Sequence, residues 1–304
     1  SITGKILFLS GEIAKEQLMP KNFVFYNPEE HQNIIKLLED HKPAAIVCAT
    51  DRNSALAGGV YPFPLIEDGD FDIPSIYMTD IEGEKLKSCI GKKVHLISNS
   101  SRISGKGYNI IAKKDGYGSD DRIVVTAHID AKKGSPGAID NATGVVVMML
   151  LGHLLATYRS SRIIELVAFN GEDYYAVPGQ MLYIRENNDN FDDVLFNINI
   201  DGAAYQSSRT AVSFYDMPEK YSKFVRKAME EFEDIVEGPQ WPQGDHSIFV
   251  QYGCPAIAIS SEWFITNMEN QSITHTSKDN LNIVDEKKIV EIAMMLHKLI
   301  VEFS

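Results

Sequence analysis

From Arg122 onward, apolar runs alternate with helical patterns. "RIVVTAH" is followed by "GVVVMMLLGHLLATY", and "IIELVAF" by a helix around Gln180. Then come "VLFNINI", "MPEKYSKFVRKAMEEF", "PAIAIS" and "VDEKKIVEIAMMLHKLIVEF". No feature narrows the possible folds more. Strands alternating with helices predict a mixed, mostly parallel sheet with helices on both faces, a three-layer αβα domain of the α/β class. In the last segment Ile289, Ile292, Ala293, Leu296, Leu299, Ile300 and Phe303 recur mostly at steps of three and four, so one face packs on that sheet.

The first ninety or so residues read differently. "GKILFL", "NFVFYN" and "PAAIVCAT" suggest short strands. "EEHQNIIKLLEDH" has helical spacing, with Ile34, Ile35, Leu37 and Leu38 on one side, and "DIEGEKLKSCI" reads as a short helix. The pattern changes near Lys92, where "KKVHLISNS" and "GYNIIAKKD" suggest antiparallel strands. Two domains are therefore expected, residues 1–91 and 92–304, in keeping with a length of 304.

Composition closes off several classes. A net charge of −13 argues against a nucleic-acid partner. Cys48, Cys89 and Cys254 form no CxxC and cannot all pair within the chain, so this is no disulfide scaffold. No apolar run approaches the roughly 18 residues of a membrane span. No signal peptide stands at the start, so the expected location is the cytoplasm, or outside the cell if an upstream segment has been removed. "SGKG" near Ser104 is not a phosphate loop, because Ser100 stands where that loop needs Gly.

In an open α/β sheet, ligands bind beyond the carboxyl ends of the strands. "RIVVTA" runs into His128. "IIELVAFN" runs into Gly171, Glu172 and Asp173. "VLFNINI" runs into Asp201, and "PAIAIS" into Ser261 and Glu262. Asp140 precedes the first long helix, and His275 sits in a polar loop before the last. Taken singly, an Asp at such a place is a helix cap or a turn residue. Gathered at one sheet edge, they form a metal constellation. His128 and Asp130 are two apart on an extended segment and point the same way, so Asp130 can accept the other ring N–H of His128 and fix its tautomer. Two His and three Asp suffice for two zinc ions if one Asp bridges. With a bridging hydroxide, the charges balance. Glu172 is then an extra carboxylate, free to accept a proton. Glu172 and Asp130 are the candidate catalytic residues, the second through its hold on His128.

These residues resemble the zinc aminopeptidases of peptidase family M28, co-catalytic two-zinc exopeptidases. The motifs occur in order: "AHID" at Ala127–Asp130, "GAIDNATG" at Gly137–Gly144, "AFNGED" at Ala168–Asp173, "NID" at Asn199–Asp201, "GDHSIF" at Gly244–Phe249 and "THTSKD" at Thr274–Asp279. The resemblance covers roughly Lys92 to Phe303. It implies a zinc exopeptidase domain with two Zn2+ per chain. His128 and Asp201 would bind one ion and Asp173 and His275 the other, with Asp140 bridging. Glu172 would be the general base acting on a metal-bridging water. Asp245 and His246 would support the site or touch substrate. The N-terminal part resembles a protease-associated domain through "ITGKILFL", "IIKLLEDHKPAAIVCAT" and "DIPSIYMTDIEGEKL".

Two positions depart from the family pattern. Asp173 is shorter than the Glu often found there. Many relatives place an oxyanion-steadying Tyr elsewhere in the cleft or just before the last His, where Thr274 stands here, which leaves the role to Tyr174, Tyr205 or the metal. Peptides are the expected partners, cut at the N-terminus. A glutaminyl-peptide cyclase, or a carboxypeptidase or dipeptidase of the same fold, is the alternative enzyme. An inactive peptide-binding scaffold is the alternative without catalysis.

Overall fold

The computed structural model describes residues 3–11, 14, 28–50, 73–97, 99, 104–132, 134–173, 177–188, 190–241, 244–268 and 271–303. The chain divides into two units, Ser1–Lys106 with Tyr174–Ala176, and Gly107–Asp173 with Val177–Ser304. This division falls later in the chain than the 91/92 boundary read from the sequence.

The first unit holds β1 (Ile6–Leu9), α1 (Pro28–Asp40), β2 (Ala45–Thr50), β3 (Ser75–Thr79) and α2 (Asp80–Lys87), its strands forming a parallel sheet in the order β1-β2-β3. Ile35 and Leu38 of α1 pack with Leu9, Ile46 and Cys48. Leu37 does not share that face: it is 54% exposed, because α1 packs only through Ile34, Ile35 and Leu38. Thr79 closes β3 and caps α2, its Oγ1 accepting from Glu82 N at 3.3 Å. The expected strand "NFVFYN" lies outside the described residues. In "KKVHLISNS" the described residues form no strand. Val94 and Ile97 stay exposed, so the segment has no buried face to hold it in a sheet.

The second unit contains β4 (Ile110–Lys114), β5 (Arg122–His128), α3 (Thr143–Leu154), β6 (Ile163–Phe169), α4 (Pro178–Glu186), β7 (Val194–Ile200), β8 (Thr210–Tyr215), α5 (Glu219–Met229), β9 (Ile235–Glu237), α6 (His246–Gln251), β10 (Ala256–Ser261), α7 (Glu262–Thr266) and α8 (Glu286–Phe303). Its seven-stranded sheet runs β4-β6-β5-β7-β10-β8-β9. The four strands β6, β5, β7 and β10 are mutually parallel, β4 and β8 are antiparallel to their inner neighbours, and β9 runs parallel to β8. β8 and β9 are absent from the sequence reading. "TAVSFY" mixes hydroxyl and apolar residues, and "IVE" is too short to carry a period.

Helices cover both faces. Ile123, Val125 and Ala127 of β5 pack in one cluster with Val147 and Leu151 of α3 and Ile292, Leu296 and Ile300 of α8. Val124 packs instead with Tyr183 and Ile184 of α4 and Ile248 and Phe249 of α6. A strand buried on both faces is mostly apolar, as in Ile123–Val125 of β5, and its one central hydroxyl, Thr126, is satisfied by donating to Asn199 Oδ1 at 3.0 Å. No helix among the described residues is long and apolar enough to cross a membrane.

The fold gathers chemistry at one edge. Because β5, β6, β7 and β10 are parallel, the residues after each of them emerge on the same side. The start of α3 is held there by close backbone contact. A Cβ on Gly144 would lie 2.6 Å from the Ile200 carbonyl oxygen and 2.3 Å from Asn141 Oδ1. Asn141 ties the same corner together: its Nδ2 donates to Ile200 O at 2.8 Å, and its Oδ1 accepts from Gly144 N at 3.1 Å.

Candidate metal centre

His128 closes β5 and is 1% exposed. Its Nδ1 lies 3.1 Å from the Asp130 main-chain carbonyl. A carbonyl only accepts, so Nδ1 carries a hydrogen, and Nε2 is the nitrogen left to give a lone pair to a metal ion once its own proton is lost. That Nε2 faces carboxylate oxygens of Asp140 at 3.0 Å, Asp201 at 3.3 Å and Glu172 at 3.7 Å. On the far side, His275 Nε2 is 3.1 Å from Asp140 Oδ2 and 3.0 Å from Asp173 Oδ1. Asp140 therefore turns one oxygen toward each histidine. All five residues expected to bind metal converge here, together with Glu172.

The sequence reading of Asp130 needs one correction. Its carbonyl, not its carboxylate, is within hydrogen-bonding distance of His128. The nearer carboxylate oxygen is 3.7 Å away. That carboxylate is engaged by the turn after β6: Oδ1 accepts from Gly171 N (2.8 Å) and Glu172 N (3.1 Å), and Oδ2 from Asp173 N (3.1 Å). Three main-chain donors explain why a short acid is needed, and they fix Glu172 and Asp173 on one turn.

Asp279 does the same on the opposite side. It is fully buried, and its Oδ1 and Oδ2 accept from Ile139 N (2.6 Å) and Asp140 N (3.1 Å). The sequence reading gave Asp279 no role. Its one signal was that it closes "THTSKD", four residues after His275.

The electrostatics are those of negative groups forced together. Burial, then Asp201, Asp173 and Asp245, push the Glu172 carboxyl well above its ordinary range against the pull of His128. Burial and Asp140 also raise Asp173, although His275 opposes them. Burial works against Asp140 too, but the flanking imidazoles outweigh it and hold that carboxyl below the usual range. Burial lowers His275, yet Asp140 and Asp173 carry it to about 10.

Divalent cations fit this arrangement. Among the described residues, His128 Nε2 and Asp173 Oδ2 are buried with no hydrogen-bond partner. Two groups, His128 with Glu172 and Asp201, and His128 with Asp140 and Asp173, each bring three donor atoms within 4.8 Å of one another. Donors bound tetrahedrally at zinc distances stand about 3.4 Å apart, close to the spacings seen here. Nitrogen and carboxylate oxygen donors suit zinc.

The remaining candidates lie outside the two donor groups. Glu262, which follows β10, forks with Arg209 at 2.9 and 2.8 Å and takes no part in the cluster. The Tyr205 ring packs on Trp263 and Phe264. Tyr174 lies outside the described residues. The Thr274 hydroxyl accepts from Gln271 Nε2. Asp245 is buried, with Oδ1 accepting from Gln180 Nε2 at 2.6 Å. Burial dominates in pushing its carboxyl up to about 7.

His246 is fully buried, so it cannot touch substrate. Its Nδ1 is 3.3 Å from Asn199 Nδ2 and its Nε2 3.3 Å from the Trp241 carbonyl. The amide donates and the carbonyl accepts, which satisfies a neutral ring and leaves no place for a second proton. Burial lowers its pKa to about 3. The unfolded ring titrates near 6.5, so between those values the unfolded chain holds the extra proton. Stability therefore falls as pH drops through that window, by up to about 1.4 kcal/mol per pH unit from this group. NMR should find the His246 ring neutral at pH 5. A ring titrating near 6.5 would contradict its placement.

The sequence profile of peptidase family M28 matches residues 109–300. The chain belongs to peptidase family M28. The chain is 26% identical over 237 residues to Aminopeptidase YwaD of Bacillus subtilis, across 72% of this chain and 50% of that protein. It is 32% identical over 101 residues to the Vacuolar membrane protease of Laccaria bicolor, across 33% of this chain and 10% of that protein. The chain thus spans half or less of these curated relatives. Its fold matches that of BSAP, a zinc aminopeptidase from Bacillus subtilis, with a TM-score of 0.69 at 18% identity, covering 99% of this chain and 75% of that one. It also matches an aminopeptidase from Aneurinibacillus sp. strain AM-1, with a TM-score of 0.66 at 16% identity, covering 99% and 74%.

Proposed function

We propose that this M28 chain is a two-zinc aminopeptidase that removes N-terminal residues from peptides. One observation carries the reading: the two oxygens of Asp140 face two different histidines, at 3.0 and 3.1 Å. A carboxylate so placed serves a pair of cations. His128 and Asp201 would hold one zinc, Asp173 and His275 the other, with Asp140 shared. When bound, the ions would supply Lewis acidity to the scissile carbonyl and to an attacking water. Glu172 would accept that water's proton and return it to the leaving amine. Asp130 fixes the turn on which Glu172 stands. The protease-associated reading of the N-terminal unit is likewise a proposal, supported by the order of β1, α1, β2 and the late strand β3.

YwaD and BSAP are aminopeptidases, which favours this reading over a carboxypeptidase or dipeptidase. A shared Asp140 favours it over a cyclase working with one zinc. The test combines metal analysis with a panel of aminoacyl p-nitroanilides and a Gln-initiated peptide. Two zinc per chain and release of p-nitroaniline are expected. One zinc and pyroglutamate formation would establish the cyclase instead. A preparation that retains no metal would favour the inactive scaffold.

A further inference from the structure

We propose that Asp279 is a positioning residue that sets the spacing between the His275 and Asp140 sides of the metal centre. The inference rests on the two-zinc reading above and deepens it.

The two ligand-bearing segments are far apart in sequence. Asp140 lies just before α3, at a place where the backbone leaves helical φ/ψ (−116°, 85°). His275 lies in the loop before α8, with a left-handed φ of 62°. Neither conformation is held by a helix or a strand. What joins them is Asp279. Both its oxygens are taken by consecutive main-chain donors, Ile139 N and Asp140 N, and its carbonyl accepts from Ala138 N at 3.4 Å. Ser135 Oγ adds a donor to Thr276 O at 3.2 Å. Asp279 is fully buried, so water cannot replace these bonds.

The arrangement repeats on the other side, where Asp130, two residues after His128, accepts three N–H groups of the 171–173 turn. Each histidine loop thus carries a carboxylate that grips the segment bearing other donors. The two grips differ in reach. Asp279 joins the segments that supply two of the three donors around the His275 subsite, Asp140 and His275. The His128 subsite depends on it only through Asp140. His128 ends β5 and Asp201 follows β7, both set by the sheet. Loss of the Asp279 grip should therefore weaken one subsite more than the other.

Zinc is titrated into the metal-stripped full chain by calorimetry, for the parent and for Asp279→Asn. The amide replaces one acceptor by a donor, so one main-chain N–H is left facing another N–H. The first zinc equivalent should stay within about threefold of the parent, while the second weakens by about 10–100-fold, the range typical of groups that orient metal ligands. Asp279→Ser, which can still accept one N–H, should fall between them and serves if the Asn variant loses cooperative thermal unfolding. In the metal-stripped parent, the Ile139 and Asp140 amides should be protected from hydrogen exchange. Two unchanged equivalents in Asp279→Asn, equal weakening of both, or rapid exchange of those amides would overturn the inference and leave the two-zinc reading standing. A parent that takes up fewer than two zinc ions would overturn both.

Discussion

Glu172→Gln is expected to lower kcat on aminoacyl p-nitroanilides by on the order of 10³-fold, with zinc content equal to the parent's. Gln has the size of Glu and keeps its main-chain N–H on Asp130, so the turn survives. It cannot take a proton. The zinc count matters as much as the rate, because Glu172 Oε2 lies only 3.7 Å from His128 Nε2 and belongs to one of the candidate donor groups. Inactivity with full metal makes Glu172 the base. Inactivity with metal loss makes it a ligand. Turnover at the parent rate would refute the assignment of roles.

Asp140→Ala is expected to abolish activity and remove both zinc ions, whereas Asp201→Ala should lose one. The difference follows from Asp140 presenting one oxygen to each histidine, while the contact of Asp201 is with His128 alone among the two. Removing a direct donor should weaken zinc by more than the roughly 10–100-fold seen when a supporting group is lost. Elemental analysis after dialysis against a weak chelator reads the outcome. An Asp140→Ala protein that retains one zinc would show that the carboxylate is not shared.

The positions of these groups were legible because a parallel sheet exposes its strand endings in the sequence. An apolar run that stops at His128, or at Asp201, announces both the strand and the edge. α8 was legible for a similar reason, since its buried row recurs at helical steps. Other features depend on partners that are distant in sequence. Glu262 ends a strand just as Asp201 does, and only Arg209 on a neighbouring segment separates their fates. Asp279 reads as an ordinary polar-loop acid until Ile139 and Asp140 are brought against it. Likewise, Asp130 could be matched to His128 by spacing, but its three main-chain donors come from beyond β6. Leu37 shows the limit within a single helix: spacing nominates a face, and the neighbouring sheet decides how wide that face is.

Gly144 has a consequence for how the centre tolerates change. Because α3 meets the end of β7 through main-chain atoms, with no space for even a methyl group, the gap between them is a hard stop. Exchanges among Val147, Leu151 or Ile198 can rearrange deeper layers while that stop holds Asp140 and Asp201 in register. The edge that bears Asp140 and Asp201 is thereby shielded from small shifts in the interior.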